Sequence, residues 1–70
     1  MDFVQKARVR IEHWIGHNDH HLEDYEAFAR ELESAGKAES ARLVKEMIQH
    51  SARSTECLRK ALLALEGHGG

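Results

Sequence analysis

The feature that most constrains this sequence is its lack of helix-breaking residues. It contains no proline, and only Gly16 and Gly36 interrupt it before a glycine-rich end. Proline and glycine are the residues that most often stop or weaken an α-helix. A chain of 70 residues with so few interruptions is therefore expected to be all-α, with two very long helices.

The first helix is predicted to run from about residue 2 to about residue 35. Asp2 can cap its free N–H groups, and Gln5, three residues later, completes a capping-box pattern. Gly36 is the expected left-handed stop. Apolar and core-type residues alternate at steps of three and four, which predicts a heptad seam. Its members are Val4, Ala7, Ile11, Trp14, Asn18, His21, Tyr25, Phe28 and Leu32, flanked by Ile15, Leu22 and Ala29.

The second helix, predicted from about residue 38 to residue 66, carries two heptad rows. The first row contains Ala41, Val44, Ile48, Ser51, Thr55, Leu58, Leu62 and Leu65. The second row contains Leu43, Met47, His50, Ser54, Cys57 and Ala61. Because a helix in a two-helix hairpin has one neighbour, a second row predicts a further neighbour. We expect residues 1–70 to form one antiparallel hairpin domain, with its turn near residue 36, that dimerises into a four-helix bundle. Residues 67–70 are expected to fray.

A chain this short usually needs a disulfide, a metal or oligomerisation to supplement its core. Cys57 is the only cysteine, which excludes a disulfide within one chain. The start at Met1 lacks the layout of a secretory leader, and a lone cysteine fits a reducing compartment. These features predict a cytoplasmic protein that relies on a metal, on a second copy of itself, or on both.

Charge and hydropathy exclude two classes of partner. The 10 basic and 12 acidic residues are interspersed and give a net charge of −2, so no basic stripe for nucleic acid is predicted. No apolar run approaches the roughly 20 residues that a membrane-spanning helix needs. Neither nucleic acid nor a membrane is expected as a partner.

Histidine is the unusual component, because four of the six copies lie between His13 and His21. If the chain folds back at Gly36, residues whose numbers sum to roughly 72 lie side by side. Asn18 then faces Ser54, and His21 faces Ser51, so both seams become polar at the same level. Such a layer is either a polar device that sets helix register or part of a metal site.

The spacing of the histidines favours a metal site. His17 and His21 are four residues apart, so both imidazoles can reach one ion, and we expect them to be the primary ligands. Imidazole suits zinc, nickel, cobalt and copper(II), with a carboxylate as an optional further ligand. The other candidate ligands are His13, His20 and Asp24 on the same helix, and His50 on the second helix. Taken singly, His13 and His20 are more readily interpreted as solvent-exposed side chains than as metal ligands.

Residues 13–25 resemble a family of small prokaryotic helical proteins with the pattern His-Trp-x-x-His-Asn-x-x-His-x-x-x-Tyr. That family has no established function and is linked with nickel or cobalt handling. The resemblance implies that nickel is favoured among the possible metals. The positions that match the pattern are His13, Trp14, His17, Asn18, His21 and Tyr25.

The leading hypothesis is a small homodimeric protein that carries or senses nickel or zinc. The alternative is a metal-free helical module that binds another protein or has a structural role. An enzyme is the least favoured hypothesis, because the sequence shows no nucleophile–base pair, phosphate loop or cofactor motif. Neither Gly16 nor Cys57 has an assigned role.

Overall fold

A computed structural model describes residues 2–67 of the chain. This part consists of two helices without strands, α1 (Phe3–Ser34) and α2 (Ala38–Glu66). The bounds of α1 differ by one residue at each end from those predicted, and the bounds of α2 are as predicted. Most of the end that was expected to fray, residues 68–70, lies outside the described residues.

The start of α1 is fixed by the predicted capping box. The backbone N–H of Gln5 donates to Oδ1 of Asp2 at 2.8 Å, and the backbone N–H of Asp2 donates to Oε1 of Gln5 at 3.1 Å. These reciprocal bonds satisfy two N–H groups that a helix start would otherwise leave without partners.

The turn between the helices depends on the conformational freedom of one glycine. Gly36 has φ = 77°, a left-handed conformation that costs other residues roughly 1–2 kcal/mol. Its N–H donates to the carbonyl of Glu33 at 3.0 Å, and the N–H of Lys37 donates to that of Leu32 at 2.9 Å. These two bonds form a Schellman motif, so α1 ends where the sequence predicts.

Ion pairs between the helices show that the two run antiparallel. Arg59 donates to Oδ2 of Asp19 at 2.8 Å, and Lys45 donates to Oε2 of Glu33 at 2.6 Å. Both pairs are about half exposed, and such pairs contribute little to stability. They mark one charged edge of the contact between α1 and α2.

The first row on α2 packs against α1, as predicted. All eight of its members are buried or half-buried, whereas all six members of the second row are exposed. Ala29 of α1 and Ala41 and Thr55 of α2 are the buried residues among those described. The hairpin therefore has a narrow core of small side chains.

The predicted seam of α1 is partly wrong. Trp14 is 48% exposed and Phe28 is 52% exposed, and Val4 is also exposed. The row that faces α2 instead passes through the predicted flank, and its members are Ile11, Ile15, Asn18, Leu22, Tyr25, Ala29 and Leu32. One neighbour can cover only one stripe. The covered stripe includes Ala29, whose small side chain lets α2 approach closely. The bulky rings of Trp14 and Phe28 are left at the edge of the contact.

The hairpin is long and thin, with principal extents of 51 × 20 × 11 Å. Much of each helix consequently faces solvent. Neither described helix has a segment apolar enough, over a sufficient length, to cross a membrane.

The two helix-interrupting glycines predict opposite responses to the same substitution. A Cβ at Gly16 would meet no atom within 4 Å, so Gly16→Ala should raise the free energy of unfolding by about 1 kcal/mol through helix propensity. Gly36→Ala should lower it by roughly 1–2 kcal/mol, because alanine resists positive φ. Urea unfolding at one protein concentration measures both. A loss of stability in Gly16→Ala would show that something packs closely against this position.

Candidate metal centre

His17 and His21 converge on one point beside α1. Their Nε2 atoms lie 3.0 Å apart, and their ring centroids are separated by 4.4 Å with the ring planes at 87°. The helix produces this convergence, because residues four apart project side by side from successive turns. Of the predicted ligands, these two are the pair whose nitrogens the structure brings together.

The spacing of the two nitrogens can be compared with metal geometry. Two nitrogens bound to zinc at about 2.0–2.1 Å lie about 3.3 Å apart at a tetrahedral angle and about 2.9 Å apart at a right angle. The observed 3.0 Å falls between these values. It also matches an N–H···N hydrogen bond between two neutral rings. The pair can therefore hold a proton between its nitrogens or offer both nitrogens to a cation.

His21 also borders a polar cavity of about 250 Å³ between the helices. The cavity is lined by Asn18, His21, Tyr25, Ser51 and Ser54. The ring of Tyr25 stacks on that of His21, with centroids 5.9 Å apart and planes at 13°. Asn18, His21, Ser51 and Ser54, which were predicted to form a polar layer, therefore do lie together. The ring of Tyr25 packs against one imidazole of the pair.

Thr55 lies at the same height along the helices as this cavity, but its hydroxyl already has a hydrogen-bond partner within α2. It is buried, and its Oγ1 donates to the backbone carbonyl of Ser51 at 3.1 Å. The polar group nearest the core is thus paired within α2. The polar groups left for a ligand lie in the half-open cavity.

The remaining predicted ligands do not converge on the point where the two nitrogens meet. The ring of His13 stacks on that of His17 at a centroid distance of 6.0 Å. Nε2 of His20 lies 3.9 Å from Oδ2 of Asp24, and both side chains are largely exposed. His50 is exposed on α2.

No complete metal shell is found within residues 2–67. There, no group of three or more His, Cys, Asp and Glu side chains is arranged to hold a metal ion. One described hairpin therefore offers a pair of converging nitrogens, and any further ligand has to come from a side-chain movement, from solvent or from another molecule.

The surroundings of the pair differ from those that the sequence predicts. Trp14 and Phe28, assigned to the hairpin core, are instead exposed, each seven residues from His21 along α1. Residues at this interval lie on nearly the same side of a helix. The regular row of positions 14, 21 and 28 was the available signal, but it was assigned to the contact with α2.

Comparison with known proteins identifies one matching family. Residues 7–65 match the model of a family described as "Domain of unknown function (DUF8180)". No curated protein and no solved structure matches the chain.

The 3.0 Å contact predicts complementary tautomers in the metal-free protein. When both rings are neutral, one Nε2 must carry a hydrogen and the other must accept it. Ring-nitrogen ¹⁵N chemical shifts should therefore place His17 and His21 in opposite tautomeric forms. His20 provides the reference within the same helix. Identical tautomers for the pair would contradict the contact.

Proposed function

We propose that this chain, which belongs to the DUF8180 family of unknown function, binds a divalent transition metal, nickel or zinc, and carries or senses that metal. The primary ligands are His17 and His21. The observation that carries the proposal is the 3.0 Å approach of their Nε2 atoms. Two imidazoles already placed at this separation need little rearrangement to bind one ion, which reduces the entropic cost of binding.

The nature of the donors limits the choice of metal. Neutral imidazole favours zinc, nickel and copper over magnesium or calcium, which prefer oxygen ligands. The resemblance of residues 13–25 to a family linked with nickel or cobalt handling favours nickel among these metals. The partial exposure of the pair suits a protein that takes up and releases an ion, since structural zinc sites are closed by four protein ligands.

Further ligands are needed to complete the shell. His13 is the closest candidate along α1, because its ring already stacks on that of His17. The ring centroid of His20 lies 6.2 Å from that of His21, and Nε2 of His20 lies 3.9 Å from Oδ2 of Asp24. His50 lies on α2. All four remain candidate ligands in this proposal.

The proposed working form is a homodimer in the cytoplasm, with two hairpins assembled into a four-helix bundle. The support for the dimer is the exposed second row on α2, which includes Leu43 and Met47. The support for a reducing compartment is the free thiol of Cys57, which is exposed.

Isothermal titration with nickel and with zinc tests the proposal directly. Even loss of a residue that only orients a ligand costs about 10–100-fold in affinity. His17→Ala and His21→Ala should therefore each weaken binding by about 100-fold or more. The control is Glu23→Ala, which removes an exposed side chain of the same helix that is not among the candidate ligands and should leave affinity within about threefold. Absence of binding to the unaltered protein would end the proposal.

Removal of metal should also lower thermal stability. A free metal concentration 100 times Kd adds about 2.7 kcal/mol to the free energy of unfolding. For a chain of this size that corresponds to a rise in Tm of roughly 10 °C or more. Calorimetry with nickel and then with excess chelator measures the difference. A metal-free interaction module, the alternative function, would give the same Tm in both conditions.

A further inference from the structure

The histidine pair shares one side of the hairpin with exposed apolar side chains. On α1, Trp14, His21 and Phe28 are spaced seven residues apart and therefore lie along one edge of the helix. His17 points to the same side, because its ring nitrogen meets that of His21. The edge thus combines the two converging imidazoles with two aromatic rings that α2 does not cover.

The second helix extends this surface. Ser54 borders the cavity beside His21, and Met47 lies seven residues before it on the same row of α2. Met47 is 38% exposed. The whole second row of α2 is exposed and contains no Asp, Glu, Lys or Arg. We call the combined surface of Trp14, His17, His21 and Phe28 with the second row of α2 the histidine face.

The opposite side of the hairpin has a different character. There the contact between the helices is bordered by the ion pairs Asp19–Arg59 and Glu33–Lys45. Depletion of charged residues with enrichment of aromatic residues and methionine is typical of the core of a protein interface. Of the two sides, the histidine face has this composition.

The exposed area of the whole chain indicates how much surface a partner could cover. The chain exposes 5362 Å², whereas a folded monomer of 8.0 kDa exposes about 4,450 Å². The excess of about 900 Å² is close to the roughly 800 Å² that each partner buries in a standard interface. A second hairpin of the same size therefore matches the amount of surface that is left uncovered.

We infer that two copies of this chain pack through their histidine faces and that the His17–His21 pairs of the two copies bind one divalent transition metal ion between them. This inference rests on the proposed metal-binding function. A two-fold axis repeats every interface residue, so two imidazoles become four. Four nitrogens complete the tetrahedral shell of zinc or the square-planar shell of nickel(II).

Symmetry also explains why the site is incomplete in one hairpin. The described residues provide two converging donors, and no third His, Cys, Asp or Glu side chain among them is arranged to hold an ion together with the pair. Thermodynamic linkage then requires the metal to strengthen the dimer, because an ion held by both copies binds the dimer more tightly than the monomer. The metal serves as the signal for assembly.

Stoichiometry and mass together test the inference. Titration with zinc should give one ion for every two chains. Sedimentation equilibrium should give a dimer whose dissociation constant is at least tenfold lower with zinc than with chelator. Trp14 is the only tryptophan, so its emission should shift to shorter wavelength as zinc is added and the ring loses contact with water.

Two matched variants separate the roles of the two surfaces. Phe28→Arg places a charge on the histidine face seven residues from the nearest ligand, and it should weaken both the dimer and zinc binding by at least tenfold. Leu63→Arg makes the same change at a residue that is 70% exposed beside Arg59, on the charged side, and should leave both unchanged. Far-ultraviolet circular dichroism checks that both variants remain helical.

The possible outcomes distinguish the inference from the function on which it rests. One ion per chain on a monomer would overturn the shared site and leave metal binding intact. A dimer of equal strength in zinc and in chelator, or full zinc affinity in Phe28→Arg, would likewise overturn the shared site. No zinc or nickel binding at all would overturn both.

Discussion

A helix in a two-helix hairpin has one neighbour, and that neighbour covers one stripe of its surface. This constraint shapes the whole molecule. The covered stripes meet over a narrow core in which Ala29, Ala41 and Thr55 are buried. Every other apolar residue among those described is half-buried at best, and the large rings of Trp14 and Phe28 lie at the edge. The second stripes of both helices are therefore left exposed to solvent in the single hairpin.

The same constraint places the histidines. With α1 rotated so that Asn18, Leu22 and Tyr25 face α2, His21 lies at the margin of the contact and His17 lies further outside. The helix holds their nitrogens together, Tyr25 stacks on one ring, and the polar cavity keeps that ring accessible. The two nitrogens lie close together on one helix, and the His21 ring borders an open cavity, an arrangement that suits the metal binding proposed above.

The proposed metal binding and the proposed self-association address two different features of the hairpin. The uncharged row on α2 is exposed to solvent, and the histidine pair offers two of the four nitrogens that a complete shell would need. Both features lie on one side of the hairpin. A second copy would address both, because symmetry supplies an apolar surface and a second pair of imidazoles in a single contact.

Several elements could be read directly from the order of the residues: the capping box at Asp2, the left-handed stop at Gly36, the row of α2 that packs inward, and the spacing that lets His17 and His21 meet. These follow from local backbone geometry and from periodicity. Only the tertiary structure decided which stripe of α1 is covered. Two heptad rows lie side by side on that helix, and a modest rotation about its axis exchanges them. Periodicity cannot choose between the two rows, whereas packing the helices closely at Ala29 and Ala41 can.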